Sequence, residues 1–296
     1  MSDKGHIIGA IIVLYNPNMK ELGLSIEMLL PQVDMVCLVD NSQVDNSHLI
    51  SRDDKVKYIP LLENVGIAKA QNVGISYLRE NQFDFALFSD QDSRVSEGLV
   101  SILEDAYLSL ESNGEFVGVV GTKAINKLTN KAYPPKSKII EQRIIKSMEG
   151  GSIKVTECYS VISSVSLISL RVLNTVGGFD EELFIDGVDH EWCWRAWHNN
   201  GLRSYVVEDA ILYHQFGEGD RSLIGKDVEI ASYRRMYFQY RNYLWLCRRS
   251  YVPRYWKRKN GIKYIVKMFY FPIFVKPRMK YLVNIAKGIK DGFKKL

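Results

Sequence analysis

The 296-residue chain lacks the features that mark several common protein classes. Its four cysteines, Cys37, Cys158, Cys193 and Cys247, stand far apart, with no CxxC pair and no finger-like spacing. That disfavours a disulfide framework or a zinc module and predicts reduced thiols in a cytosolic protein. No uninterrupted apolar run approaches the length of a bilayer span. The apolar run near the N-terminus follows acidic Asp3 and has no small-residue cleavage site, so it reads as a first strand and not a signal peptide. No Gly-x-Gly-x-x-Gly follows that strand and no Gly-Lys-Ser/Thr loop occurs, which argues against dinucleotide-binding and Walker-type sites. Acid is scarce at one end: residues 241–296 carry 16 Lys and Arg against Asp291 alone, a balance of +15 within a chain of net charge +5. The preceding 240 residues are therefore acidic, and the two parts have different work to do.

What is present fits an ordinary globular protein, 46% hydrophobic and 25% charged. Residues 7–14 are β-branched and apolar, as in a central strand covered on both faces. The patterns predict a helix from Met19 to Leu30 stopped by Pro31, strands at 35–39 and 56–60, a helix capped by Asn64 and running to about Arg79, and a strand at 85–88. A helix at 97–112 and a strand at 116–121 follow, then a polar, irregular insertion over 122–155 with Pro134-Pro135 and Gly150-Gly151, expected to be mobile. Residues 161–170 read as a strand, the segment from Asp189 as a helix with Trp192, Ala196 and Trp197 on one side, and 233–249 as a helix bearing aromatic and basic side chains together. This alternation predicts an open, mostly parallel α/β sheet with its ligand at the carboxyl ends of the strands, where Tyr15, Asp40 and Asp90 fall.

Asp90 and Asp92 lie two apart at the end of the fourth strand. Alternate side chains of an extended segment point the same way, so both can face one Mg²⁺ or Mn²⁺ and leave positions open for phosphates. The plain alternative is an acidic turn.

The ordered set Tyr15-Asn16-Pro17, Asp40-Asn41-Ser42, Asn64 to Asn72 and Ser89-Asp90-Gln91-Asp92-Ser93 resembles the family 2 glycosyltransferases, especially the rhamnosyltransferase branch of bacterial polysaccharide synthesis. Phe184-Ile185-Asp186, Asp189-His190-Glu191-Trp192 and Tyr213-His214 extend the resemblance over residues 7–245. It implies a GT-A, Rossmann-like domain over 1–225, with a nucleotide-sugar half at 1–120 and an acceptor half at 121–225, followed by a basic helical region at 226–296.

The resemblance also implies roles. Tyr15 and Asn16 would line the base pocket, with Asp40 accepting from the imide N3 of uracil or thymine, a donor that cytosine lacks. Asn64, Lys69, Asp90 and Gln91 would sit near a UDP- or dTDP-sugar. Asp92 would be the principal ligand of Mg²⁺ or Mn²⁺, with Asp90 and His214 as further ligands. Asp189 would be the base that takes the acceptor hydroxyl proton, with Asp186 and Glu191 as alternatives and Trp192 as half core, half acceptor wall. Against this, Asp40-Asn41-Ser42 suits a simple turn, a lone His is commonly structural, and acids at 186–191 suit a helix N-terminus. Arg241 and Asn242 take a donor or packing role.

The expected activity is an inverting, metal-dependent transfer of L-rhamnose from dTDP-rhamnose to a lipid-linked saccharide in O-antigen, capsule or other surface polysaccharide synthesis. Another UDP- or dTDP-sugar is the alternative donor. The basic, aromatic tail predicts contact with an anionic membrane surface, and hence a cytoplasmic protein peripheral to the inner face of the cell membrane; a solvated helical subdomain is the plainer reading. An oligomer is possible. A nucleic-acid-binding tail is the different-class alternative, disfavoured by the acidic body and the lack of a known module. An aspartyl-nucleophile phosphatase would carry its Asp-x-Asp on the first strand and not the fourth.

Overall fold

The computed structural model describes residues 5–50, 53–126, 132–133, 137–214, 220–223, 226–229 and 231–294; of His214 and residues 220–223 and 226–229 the backbone alone is described. The N-terminal half alternates as the sequence predicts: β1 (Ile8–Leu14), α1 (Met19–Leu29), β2 (Met35–Asp40), β3 (Val56–Pro60), α2 (Ile67–Glu80), β4 (Phe85–Asp90) and α3 (Leu99–Ser112). Asn18 caps α1 by accepting from Lys20 and Glu21, and Pro31 sits in a 3-10 turn that ends it. Along β1, Ile8, Ala10, Ile12 and Leu14 face a core formed with α1 and α3, while Ile11 faces a second core formed with α2. Alternation of this kind requires both faces to be covered, which the helices do. A Cβ on Gly74 would come within 2.6 Å of Ile11, and one on Gly9 within 2.3 Å of Leu78, so two glycines let α2 settle onto β1.

The second half is built differently. β5 (Val117–Asn126), β6 (Ile139–Lys146), β7 (Ser152–Cys158), β8 (Ser166–Ser169) and β9 (Arg203–His214) complete a nine-stranded sheet of order β3-β2-β1-β4-β8-β5-β9-β7-β6. From β3 to β4 the pairing is parallel, as expected; beyond β4 the sheet is mixed, with β5·β9 parallel and β4·β8, β5·β8, β7·β9 and β6·β7 antiparallel. The change begins at β8, which is inserted antiparallel between β4 and β5, and the antiparallel β6–β7 hairpin extends it at the far edge. Much of the segment expected to be irregular is thus a hairpin with Gly150 and Gly151 near its turn, both at positive φ; Pro134-Pro135 lies outside the described residues. The strand expected over 161–170 shrinks to β8, because Ser169 accepts from Val172 N–H and starts α4 (Leu170–Val176).

α5 (Val188–Asn200) buries Trp192, Cys193, Trp194 and Ala196, and a small antiparallel pair, β10 (Asp220–Leu223) and β11 (Lys226–Glu229), stands apart from the main sheet. α6 (Tyr233–Arg248), α7 (Arg254–Phe274) and α8 (Arg278–Lys294) enclose a third core around Met236, Tyr240, Phe271, Tyr281 and Ile285. This bundle is fastened to the sheet domain through Leu246 and Val252, and through Trp256, which meets Trp194 edge-on at 5.0 Å.

Candidate active site

In the parallel ladder Leu14 pairs with Asp40 and Val13 with Asp90, so Tyr15, Asp40 and Asp90 stand side by side at the carboxyl edge. Exposed Tyr15 donates its N–H to Gln91 Oε1 at 2.9 Å, and Asn16, at φ 46, donates to Ser42 Oγ at 2.9 Å. Asp40 is 1% exposed and accepts from Ser42 N–H (2.9 Å), the Asn46 amide (2.8 Å) and the Tyr58 hydroxyl (2.7 Å). Burial first, and the bond to Asp40 second, push the Tyr58 phenol above its usual range, so it remains a donor. Asp40 therefore ties Ser42, Asn46 and Tyr58 together instead of standing open, as the sequence reading had it, for a base imide.

Asn64 does not cap α2. Its Oδ1 accepts from Asn41 (2.9 Å) and from Gly66 N–H (3.1 Å), while Ile67, the first residue of the helix, donates its N–H to the Phe184 carbonyl at 2.7 Å. The helix start is thus closed by the loop before α5. Lys69 is exposed and lines a groove of about 350 Å³ with Ile59, Asn72, Tyr77 and Glu181; among the described residues no hydrogen bond or ion pair links it to Asp90 or Asp92.

β8 runs antiparallel to β4 with Phe88 opposite Ser166. Continued by two residues, that register sets Ser164 opposite Asp90, and the Ser164 hydroxyl donates to Asp90 Oδ2. Asp92 is exposed and makes no hydrogen bond or ion pair among the described residues. Two residues on, Arg94 forms a bridge with Tyr213, which brings the backbone before His214 beside the acidic turn. The His214 side chain lies outside the described residues, and among those described no three His, Cys, Asp or Glu converge. Two neighbouring carboxylates, one of them exposed, are nonetheless a donor set suited to a hard cation that keeps positions for phosphate oxygens.

The acids at 186–191 are sorted by their partners. Asp186 is held by Arg235, whose Nε and Nη2 donate at 2.9 and 2.8 Å. Glu191 is 1% exposed and enclosed by Arg195 (2.9 Å), Arg249 (3.2 Å) and the Tyr251 hydroxyl (2.6 Å). Burial, then the bond to Glu191, pushes the Tyr251 phenol up to about 12. Glu191, buried and enclosed on all sides, is a structural ion-pair acid and not the alternative base expected of it, while Asp186 is paired with Arg235. Trp192, 1% exposed and donating to the Gly177 carbonyl at 2.9 Å, is core and no acceptor wall. Of the three, Asp189 alone is half-buried with no cation partner among the described residues: its Oδ1 accepts from His190 N–H (2.8 Å) and its Oδ2 from Ser163 N–H (3.3 Å). Ser160 Oγ lies 2.7 Å from His190 Nδ1 and also lines a cleft of about 270 Å³ with Thr122, Gln142, Thr156, Ile162 and Glu208.

Residues 10–173 match the model of glycosyl transferase family 2, and 97% of the chain aligns at 34% identity with 95% of the dTDP-rhamnosyl transferase RfbF of Shigella flexneri. The chain belongs to glycosyl transferase family 2. Solved structures with the same fold include S. aureus TarS 1-349 (TM-score 0.56, 18% identity, 97% of this chain and 80% of that one). GalNAc-T7 with UDP, GalNAc and Mn2+ is another (TM-score 0.55, 13% identity), where 93% of this chain covers 58% of that one. At such identities they bear on the fold alone, and that fold is GT-A.

Sequence reasoning missed two supports of this glycosyltransferase's site. The first is the segment Ser160–Ser164, whose only signal was a cluster of serines beside an apolar run. The second is the grip of α6 on the loop before α5. Phe184 (φ 64, ψ −62) is the centre of a tight γ-turn in which Ile185 N–H donates to the Leu183 carbonyl at 2.7 Å, and Asp186 is also at positive φ. Such backbone is costly for non-glycine residues and persists only where neighbours enforce it. The Asn242 amide donates to the carbonyls of Leu183 (2.8 Å), Ile185 (2.6 Å) and Asp186 (3.0 Å), Arg241 to those of Glu182 and Leu183, and Phe184 stacks on Phe238 at 4.6 Å. Arg241 and Asn242 thus hold the loop in place.

Proposed function

We propose that this enzyme transfers L-rhamnose from dTDP-rhamnose, with inversion, to a lipid-linked saccharide in O-antigen, capsule or other cell-surface polysaccharide synthesis at the inner face of the cell membrane. The observation that carries the donor is the 34% identity, over nearly the whole of both chains, to a protein named as a dTDP-rhamnosyl transferase. Another UDP- or dTDP-sugar is the second reading, favoured by no particular contact.

On this reading Asp92, with Asp90 beside it, holds Mg²⁺ or Mn²⁺, and His214 is a further candidate ligand. When bound, such a cation offsets charge building on the departing nucleoside diphosphate. Tyr15, Asn16, Asp40, Asn64 and Gln91 shape the nucleotide side. Asp189 takes the proton of the acceptor hydroxyl as that oxygen attacks the anomeric carbon from the face opposite the diphosphate. The cleft lined by Thr122, Gln142, Thr156 and Ser160 supplies hydroxyl and amide groups suited to a saccharide, and Ser160 is one hydrogen bond from His190, next to Asp189. No helix among the described residues is long and apolar enough to cross a membrane, so a lipid-linked acceptor would be met from the surface through the C-terminal region.

The test is a screen of UDP- and dTDP-sugars for nucleotide release, with and without Mg²⁺ or Mn²⁺, alone and with a lipid-linked acceptor. Metal-dependent release of dTDP from dTDP-rhamnose supports the reading. Preference for another sugar would replace the donor, and no metal-dependent turnover of any donor would overturn the mechanism.

A further inference from the structure

The outward face of α7 is apolar. At successive turns it presents Ile262, Ile265, Val266, Phe269 and Ile273, with Ile262 68% and Phe269 61% exposed. At the helical repeat these five fall within a sector of about 100°, the width of the stripe that a surface helix ordinarily turns inward. The inward side of α7 is already occupied: Tyr264, Met268 and Phe271 pack in the third core, and the Tyr240 hydroxyl donates to the Tyr264 carbonyl at 2.6 Å. The helix therefore has two apolar faces, and folding uses one of them. A continuous exposed stripe of this length marks an interaction surface.

Charge specifies the occupant. Residues 254–274 contain no Asp or Glu, and exposed Arg258, Lys259 and Lys263 flank the stripe. α8 repeats the arrangement, with exposed Met279, Leu282 and Val283 beside Lys280 and Lys287. We infer that these faces of α7 and α8 form the surface by which the protein seats itself in the interfacial layer of an anionic lipid bilayer, α7 lying along the membrane plane. The aliphatic stripe enters the acyl boundary and the flanking cations meet headgroup phosphates. A second copy of the chain is a poorer partner, since it would bring two cationic rims together. A nucleic acid would use the cations and leave Ile265 and Phe269 in water. The inference rests on the lipid-linked-acceptor reading for its purpose, though not for its geometry. It deepens that reading, because α6, which holds the 183–186 loop, packs between this surface and the site.

The test is co-sedimentation of the full chain, without donor, with vesicles of about three parts phosphatidylcholine to one of phosphatidylglycerol, and with phosphatidylcholine alone. The protein is expected to partition to the anionic vesicles and to leave them as salt rises. Ile265→Ser with Phe269→Ser should cut partitioning about tenfold or more, and Arg258→Gln with Lys259→Gln should weaken it and flatten its salt dependence. Both pairs are exposed, so thermal unfolding and dTDP release in vesicle-free solution should match the parent. Equal partitioning by the serine variant, or no binding to anionic vesicles at low salt, overturns the inference. So does a dimer in sedimentation analysis that the serine variant dissolves while vesicles go unbound. Failure of the rhamnosyl reading would appear separately, as absent dTDP release with vesicle binding intact.

Discussion

Asp90 and Asp189 are fastened to adjacent residues of one short segment: the Ser164 hydroxyl donates to Asp90 Oδ2, and Ser163 N–H donates to Asp189 Oδ2 at 3.3 Å. The acid that closes β4 and the acid in the first turn of α5 thus share an anchor. A hydrogen bond to a charged group contributes about 1.5–3 kcal/mol, enough to shift a binding equilibrium tenfold or more. Ser164→Ala is therefore expected to raise the metal concentration for half-maximal turnover about tenfold while the protein stays folded. A titration of activity against Mn²⁺ checks this, and an unchanged midpoint would show that Ser164 does not position Asp90.

Asp92 and Asp189 should fail in different ways. Asp92→Ala is expected to abolish metal-assisted donor binding and, with it, turnover. Asp189→Asn should leave donor affinity intact and lower transfer by about two to four orders of magnitude, the usual share of a general base. Calorimetric titration with dTDP-rhamnose and Mn²⁺, beside a transfer assay, separates the two; undiminished donor affinity in Asp92→Ala would remove it from the metal site.

Glu191 should be a stability residue. Replacing it with Gln removes the buried carboxylate shared by Arg195 and Arg249 and leaves Arg249 with Asp180 alone, at a cost of about 2–3 kcal/mol. Urea unfolding of Glu191→Gln should show a lower midpoint with an unchanged slope, and the folded fraction should keep its donor affinity.

Asn242 carries a load out of proportion to its size. Asn242→Ala removes the donor shared by three carbonyls of a loop already held at unfavourable φ. The expected result is a loss of about 2 kcal/mol in stability and a fall in kcat larger than any rise in donor KM, because the loop leads into α5 and Asp189. A change confined to stability would mean that the loop finds its shape without α6.

Burial pushes the thiols of Cys37, Cys158 and Cys193 up from 9.0 to about 12. A group whose folded pKa is raised favours the folded state below its unfolded value, so this contribution is complete below about pH 9 and is lost as pH climbs toward 12. At pH 8 iodoacetamide should spare these three in the native protein and reach half-buried Cys247 first; intact mass before and after denaturation reads the difference. Rapid labelling of Cys37 in the native state would contradict the packing of β2.

Much of the N-terminal half was legible because its information is local. The apolar run ending at Leu14, the alternation of α2 and the acidic close of β4 follow from periodicity and turn chemistry within a few residues of each other. The sorting of Asp186, Asp189 and Glu191 was not legible, since each is decided by groups far along the chain: Arg235, Ser163, and Arg249 with Tyr251. The same holds for Asp40, which matches a base-reading acid in sequence and is taken up by Asn46 and Tyr58 in space. The mixed part of the sheet escaped because the Pro134-Pro135 and Gly150-Gly151 pairs that bracket β6 made the whole segment read as a loop.

The hold of α6 on residues 182–186 bears on how such enzymes can be recombined. A boundary at 225/226 suits composition and charge, yet it cuts between Asp186 and Arg235 and between the Leu183 carbonyl and Asn242. A chimera that exchanged the C-terminal helices for those of another family member would import a new scaffold for the 182–186 loop along with the new surface. Compatibility at Arg235, Phe238, Arg241 and Asn242 should therefore be matched before any tail is grafted.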